Sequence, residues 1–330
     1  MHSHFAGLEG PLQLEPYPGG QSNPTFRILA GDKRYVLRCK PAPAAKLLPS
    51  AHAIEREFRV ISALAGTGVP VPATHGLCED ENVIGRAFFI MGCIEGRVFW
   101  DPTLPGVPAS ERAQCYGDMS RVLAALHCID YKAAGLADFG KSGGYLGRQI
   151  ARWSKQYKAS ETERIDAMDR LMSWLPEHIP ARDDTSIVHG DYRIDNLIFH
   201  PVEPRVVAVV DWELSTLGHP LADLAYNCLS RHVPQDGFRG MGGIELAALG
   251  IPDEDDYLAA YCRRTGRKEI QDWDFYLAYN MFRMAAILQG IMKRHVDGIA
   301  ASSEAEKAGR EARPMAELGW RYVQKMAGRS

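Results

Sequence analysis

The chain has little of what would assign it to several protein classes at once. Its seven cysteines contain no C-x-x-C pair. That leaves no zinc ribbon and no disulfide framework to read, and reduced thiols in a cytoplasmic protein are the simplest expectation. Charge of one sign is not in excess: the net charge is −3 over 330 residues, which speaks against a dedicated nucleic-acid binder. No apolar run approaches the roughly 20 residues that span a bilayer, so no membrane partner is expected. Met1 to Phe5 lacks the basic segment and apolar core of a signal peptide. There is no internal repeat and no low-complexity tract. A hydrophobic content of 46% and a charged content of 24% are ordinary for a globular protein. The length suffices for two lobes with cores of their own.

What is there concentrates in one stretch. His189-Gly190-Asp191-Tyr192-Arg193-Ile194-Asp195-Asn196 reads H-G-D-x-x-x-x-N. An Asp and an Asn five positions apart can occupy the two ends of one short loop, the Asp facing a hydroxyl and the Asn a metal ion. The β-branched run Val206 to Val210 then reads as a buried strand that delivers Asp211 at its end. Phosphoryl transfer asks mainly for positioning and charge neutralisation. Mg²⁺ takes hard oxygen ligands, which Asn196 and Asp211 supply, and Asp191 can accept or orient the proton of an attacking hydroxyl. The competing reading is a turn whose Asp and Asn bond their own backbone. The full spacing, with a strand-borne acid behind it, favours catalysis.

Further segments carry a family resemblance: Tyr35-Val36-Leu37-Arg38-Cys39-Lys40-Pro41, Arg56-Glu57-Phe58, Val69-Pro70-Val71-Pro72, Met91 through Gly96, Leu221-Ala222-Asp223-Leu224-Ala225-Tyr226, and Phe282-Arg283 through Arg294. With the catalytic motif, they make the chain resemble the aminoglycoside phosphotransferase and choline kinase group, a branch of the protein-kinase-like fold. Within it, the chain is most similar to phosphotransferase-family proteins related to the kinase-like domain fused to some acyl-CoA dehydrogenases. The resemblance implies an α+β, bilobal fold with a small antiparallel-sheet N-lobe and a larger, mostly helical C-lobe. The expected division is a nucleotide-binding lobe over 1–96 and a catalytic and substrate-binding lobe over 97–330. The implied cofactors are ATP and Mg²⁺.

In the N-lobe, Gly19 and Gly20 permit tight turns, and Ser22 and Asn23 can offer donors to phosphate oxygens; the segment resembles the family's nucleotide-covering loop. The strand over 34–40 should carry the phosphate-binding cation. The family usually has Lys there, and this chain offers Arg38 and Lys40, on one face at period two. Arg38 is favoured because it follows the apolar pair Val36-Leu37 and can grip phosphate bidentately. Helical spacing over 51–64 puts Ile54, Phe58, Ile61 and Leu64 on one face; by resemblance, Glu57 in this helix pairs with the strand cation. A strand over 87–94 resembles the hinge, where backbone groups of Gly92 to Ile94 would bond an adenine edge.

In the C-lobe, residues 110–128, 145–158 and 163–178 read as amphipathic helices. By resemblance, Asp223 ties down the catalytic loop through backbone N–H groups, a structural role. His219, in Gly-His-Pro, reads as a turn residue. From Trp273 to His295, Arg283, Ile287, Gly290 and Arg294 share one helical face, extended by Tyr276 and Tyr279. Two arginines beside a gap suggest a pocket for an anionic group; a buried structural helix is the equal alternative. The acids of Asp253 to Asp256, Asp272 and Asp274 sit at helix starts, where the dipole accounts for them. Aminoglycosides, as polycations, are therefore expected to be poor substrates. Trp100, Trp212 and Trp273 could form a cage for a choline-like cation only if they converge. The leading expectation is an ATP- and Mg²⁺-dependent kinase acting on the hydroxyl of a small molecule; the closer family resemblance, together with the arginine stripe, points to an anionic acceptor, a hydroxy acid or hydroxyacyl thioester. An aminoglycoside phosphotransferase and a nucleotide-binding pseudokinase with a regulatory role are the alternatives.

Overall fold

The computed structural model describes residues 5, 11–17, 23–41, 53–300 and 302–328. Gly19, Gly20 and Ser22, expected in the nucleotide-covering loop, lie outside the described residues. The chain begins with strands β1 (Leu12–Pro16), β2 (Thr25–Ala30) and β3 (Lys33–Cys39), helix α1 (Ile54–Leu64), and strands β4 (Thr74–Cys78) and β5 (Phe88–Gly92). These strands form one antiparallel sheet in the order β1-β2-β3-β5-β4.

The pleat of β3 decides what each face of this sheet does. Leu37 and Cys39 point to one side and join Ile28, Ala30, Phe88 and Ile90 in a small core covered by Phe5. Val36 and Arg38 point to the other side, where Val36 lies opposite Met91 and Arg38 opposite Phe89. Alternation in a strand thus puts one cation on the inner face. On that side α1 buries Ile54, Val60, Ile61 and Leu64, with Glu57 on the same stripe.

Beyond β5 the chain is mostly helical: α2 (Ala109–His127), α3 (Tyr145–Ala159) and α4 (Asp166–Glu177), two small two-stranded sheets, then α5 (Pro220–Cys228), α6 (Glu254–Thr265), α7 (Trp273–Val296), α8 (Ala305–Arg310) and α9 (Ala312–Ala327). The helices read from the sequence are present within a few residues of their expected ends. Strand β6 (Ser186–Val188) pairs with β9 (Thr216–Gly218), and β7 (Leu197–Phe199) pairs with β8 (Val206–Val209). The architecture is the α+β, kinase-like one expected. Helix α7 is the spine, buried along nearly its whole length from Asp274 to Gly290 and packed by α3, α5, α8 and α9. Among the described residues, no helix is long and apolar enough to cross a membrane.

The sheet and the helical part are joined at Gly96-Arg97. Arg97 exchanges backbone hydrogen bonds with Phe199 in both directions, each 2.8 Å. A Cβ on Gly96 would sit 2.2 Å from the Phe199 carbonyl oxygen and 2.4 Å from Ile198, so only glycine lets the hinge lie against β7. Gly96→Ala should push the two apart and cost about 1–3 kcal/mol. A lowered midpoint in thermal or urea unfolding would register it; an unchanged midpoint would show that β7 yields freely.

Candidate active site

The two small sheets, in effect, aim one loop. The loop leaves β6 at Val188 and enters β7 at Leu197, and the β7–β8 pairing sets Leu197 opposite Val209. Asn196 at the loop's end therefore lies beside Val210, whose N–H donates to the Asn196 carbonyl at 3.0 Å. Asp211 follows immediately. The fifteen positions from Asn196 to Asp211 are thus closed by a two-strand ladder, and the two residues line the same cleft.

His189 is fully buried and ties the loop's start to the same strand end. Its Nδ1 accepts the Asp191 N–H at 3.2 Å, and its Nε2 lies 3.0 Å from the Val210 carbonyl. An acceptor at Nδ1 and a donor at Nε2 define one neutral tautomer. The ring packs against Trp212, with centroids 4.7 Å apart. Asp211 adopts φ +65°, in the left-handed region. That conformation is uncommon for a side-chain-bearing residue, and such strain clusters at functional sites.

The Asp191 carboxylate is held from several directions. Asn196 donates its amide to Oδ2 at 2.9 Å and to the Asp191 carbonyl at 2.8 Å. Arg193 reaches Oδ2 at 3.0 Å and Tyr226 donates its hydroxyl to Oδ1 at 2.5 Å. Behind the loop stands Asp223, buried, accepting the N–H groups of His189 at 2.8 Å and Gly190 at 2.9 Å. Burial opposes the charge on Asp223, but the hydrogen bond from His127 and the loop's N–H groups outweigh it and hold the carboxyl below its usual 3.8. His127 is oriented in turn by Tyr261 at 2.7 Å.

From the sheet, Arg38 crosses to the loop region. Its Nε donates to Glu57 at 2.7 Å and its Nη2 to Asp211 Oδ1 at 2.7 Å, with Glu213 at 3.7 Å. Burial would depress the guanidinium, yet the three carboxylates raise it further. Burial also pushes the Glu57 carboxyl up to about 7, against the pull of Arg38. The two effects pull the pair opposite ways. At 2.7 Å from a guanidinium that does not lose its proton, the ionised pair is the form the geometry favours. Lys40 stands past the end of β3 and pairs with Glu55; it does not line the cleft. Of the two candidate cations, only Arg38 does.

The cleft has a volume of about 580 Å³. Val36, Met91 and Ile198 give it apolar walls, and Gly92 to Gly96 form its back edge. The Gly92 N–H is already committed to the Ala73 carbonyl at 2.8 Å, so that donor is not open to an adenine edge. Asn23 is buried and is not among the residues that line the cleft.

The α7 stripe is corrected by the structure. Arg283 is buried, donates to the Gly190 carbonyl at 2.6 Å, and stacks on Tyr226 at 4.8 Å and Trp153 at 5.7 Å. Arg294, eleven positions on, is exposed, and Tyr279 is enclosed in the core. The three line no common pocket, because α7 is covered on every side along its buried length. Gly290 is no point of close approach: a Cβ there would meet nothing nearer than the Arg294 guanidinium at 3.8 Å. Asp253 caps α6 by accepting the Asp256 N–H at 2.8 Å, the structural role its position suggested. His219 caps α5, accepting the Leu221 N–H. The three tryptophans do not converge: Trp212 is buried behind His189, Trp100 is exposed, and Trp273 donates to Glu254.

Sequence reasoning missed a second space. An apolar hollow of about 70 Å³ abuts the other side of the catalytic loop, lined by Tyr116, Met119, Leu229, Phe238 and Met284, with Arg193, Tyr226 and Arg239 where it meets the loop. Its walls come from segments far apart in the chain, so no local pattern announces it. Tyr226 alone left a signal: it lies three residues after Asp223 on α5, hence on the same helical face.

These features, a cation-bearing sheet over a loop holding a carboxylate and an amide beside a strand-end acid, define a kinase-like phosphotransferase. The sequence model of the phosphotransferase enzyme family matches residues 13–279, and the chain belongs to that family. It is 48% identical over 318 residues to acyl-CoA dehydrogenase family member 10 of Mus musculus, which covers 96% of this chain but only 30% of that protein. The chain thus spans about a third of that relative. A crystal structure of a candidate aminoglycoside phosphotransferase from Ralstonia eutropha JMP134 is 58% identical, covers 98% of this chain and 96% of that one, and superposes with a TM-score of 0.91. A thermostable mutant of aminoglycoside phosphotransferase APH(4)-Ia, in ternary complex with ADP and hygromycin B, shares the fold at 16% identity, with 94% of each chain covered and a TM-score of 0.62.

Asp223→Ala should leave two buried N–H groups and His127 without their acceptor, at a cost of about 3 kcal/mol in unfolding free energy. Because the folded carboxyl lies below its usual 3.8, this contribution is complete above about pH 4 and is lost as the pH falls through the folded value. Chemical denaturation across pH 3 to 7 should show the gap between wild type and variant narrowing at the acid end; a constant gap would remove the ionised Asp223 from the account.

Proposed function

We propose that this chain is an ATP- and Mg²⁺-dependent kinase that transfers the γ-phosphoryl group to a hydroxyl of a small molecule, with a hydroxy acid or hydroxyacyl thioester as the acceptor class. The observation that carries this reading is the placement of Asp191. Its carboxylate is bonded to Asn196 on the wall of the polar cleft and to Tyr226 and Arg193 on the wall of the apolar hollow. A group so placed can meet a hydroxyl offered from the hollow and a phosphoryl group offered from the cleft.

The residues present suit a Mg²⁺ ion. Asn196 spends its amide N–H groups on Asp191, which leaves its oxygen as a ligand, and Asp211 keeps Oδ2 beside the oxygen that Arg38 holds. One amide and one carboxylate are hard donors, and phosphate oxygens and water complete such a site. No group of three His, Cys, Asp or Glu side chains among the described residues could hold an ion unaided, as suits a metal that arrives with its nucleotide. Bound there, the ion would neutralise phosphate charge. Arg38 would meet the same phosphates, Glu57 would hold Arg38 in place, and Asp191 would receive or orient the acceptor's proton. That ADP occupies the structurally similar APH(4)-Ia supports a nucleotide in the cleft.

The lining of the hollow supports this acceptor class. Met119, Leu229, Phe238 and Met284, with the exposed Trp100 at the rim, suit apolar atoms beside the acceptor hydroxyl, and at about 70 Å³ the hollow takes only a short apolar segment. Among the described residues that line the hollow, the acid a polycation would find is Asp195, already paired with Arg239 at 2.5 Å and Arg193 at 3.5 Å. The acyl-CoA dehydrogenase name of the longer relative supports the same choice.

The test is ADP release with ATP and Mg²⁺ against hydroxy acids, hydroxyacyl thioesters, aminoglycosides and amino alcohols. Stimulation by the first two classes is expected. Asp191→Asn should lower it at least a hundredfold, the lower range of general acid–base contributions, while nucleotide binding persists. Strong stimulation by kanamycin-like compounds would overturn the acceptor class, and unchanged turnover in Asp191→Asn would overturn the role of that carboxylate.

A further inference from the structure

Helix α5 grips four consecutive residues of the catalytic loop. Asp223 takes the N–H groups of His189 and Gly190, Tyr226 donates to Asp191 Oδ1 at 2.5 Å, and Asn227 donates to the Tyr192 carbonyl at 3.2 Å. Three of these contacts are to backbone and serve to shape the loop. The fourth differs in kind: it is a hydroxyl on the carboxylate that would do chemistry. Tyr226 is buried, with its ring fixed beneath the Arg283 guanidinium at 4.8 Å, and the same side chain lines the apolar hollow. The remaining donors to Asp191, Arg193 and Asn196, are nitrogens of charged and amide groups. Among the described residues, Tyr226 is the one alcohol bonded to the Asp191 carboxylate, and it comes from the side on which an acceptor would lie.

We infer that the Tyr226 hydroxyl occupies the place on Asp191 that an acceptor hydroxyl takes, so that an acceptor entering the hollow must displace it, and that until then the contact keeps water from serving as acceptor. This rests on the kinase reading of the site. In the productive reaction the acceptor oxygen bonds to the γ-phosphorus, the bond from that phosphorus to the β–γ bridging oxygen breaks, the hydroxyl proton passes to Asp191, and ADP leaves. Water in the same position would undergo the same exchange and yield ADP and inorganic phosphate. A phenol held on Oδ1 forestalls that loss. Its own proton is hard to remove: burial and the neighbouring Asp191 raise the Tyr226 phenol well above its usual range, so it stays a donor and does not compete as a nucleophile. Tyr226 is in these terms a positioning residue, and it makes occupation of the hollow a condition for using ATP.

Tyr226→Phe keeps the ring beneath Arg283 and removes only the hydroxyl. Two readouts on the full chain test the inference. The first is release of ADP and phosphate from ATP and Mg²⁺ with no acceptor. It should rise about tenfold in Tyr226→Phe, the factor that one hydrogen bond to a charged group represents, and should vanish again in Tyr226→Phe combined with Asp191→Asn. The second is calorimetric binding, without nucleotide, of a medium-chain hydroxy acid and its deoxy counterpart. The variant should bind the hydroxy acid about tenfold more tightly than wild type and the deoxy acid equally. A purely structural tyrosine would make both readouts worse on removal. Acceptor-stimulated turnover with neither readout changed by Tyr226→Phe would overturn the inference and leave the kinase reading standing. A binding gain with no ADP release from either protein, whether or not an acceptor is added, would uphold the displacement and overturn the kinase reading. Silence in both readouts together with no acceptor-stimulated ADP release would overturn both.

Discussion

One buried carboxylate sets the shape on which the site depends. Asp223 accepts two successive backbone N–H groups at the start of the catalytic loop while His127 supports it from behind. A carboxylate in so enclosed a place is tolerated only when its oxygens are matched by donors. The matching donors are the loop itself. Fixing His189 and Gly190 leaves little freedom to the residues that follow, and the β7–β8 ladder takes up the chain again at Leu197. Asp191 and Asn196 are therefore positioned from both ends of a short span, which is what preorganised catalysis requires.

Arg38 supplies the corresponding constraint across the cleft. Its guanidinium bridges a carboxylate on α1 and one on the strand end after β8. The forked shape of the group makes this possible from a single side chain, which a lysine's point charge would not. The close packing at Gly96-Arg97 and this bridge both tie the sheet to the helical part.

The parts legible in the sequence are those whose geometry is local. The H-G-D-x-x-x-x-N spacing is the span of one loop, and the run before Asp211 is a strand because its β-branched residues pack as one. The helices followed their periodicity. Resemblance added the pairing of Glu57 and the tie made by Asp223, neither of which spacing alone reveals. Reasoning failed where a neighbour decides. Arg38 and Lys40 share a face on paper, but β3 ends at Cys39 and Glu55 captures Lys40. The α7 stripe is a true helical face; it holds no pocket because other helices cover it and the catalytic loop claims Arg283. The hollow beside Asp191 was invisible, since Tyr116, Leu229, Phe238 and Met284 converge only once the fold has formed.

The hydrophobic core has a bearing on how the molecule can move. Val36, Val60, Ile61 and Met91 of the sheet side belong to the same buried cluster as Leu197, Val209 and the interior of α7. Two bodies that share an interior cannot swing apart as a hinged pair without opening it to water, at roughly 25 cal/mol for each Å² of apolar surface exposed. Admission of ligands to the cleft is then a matter of side chains and edge segments shifting against a stationary frame, and mechanical or proteolytic separation at the joint would yield two fragments each missing part of its interior.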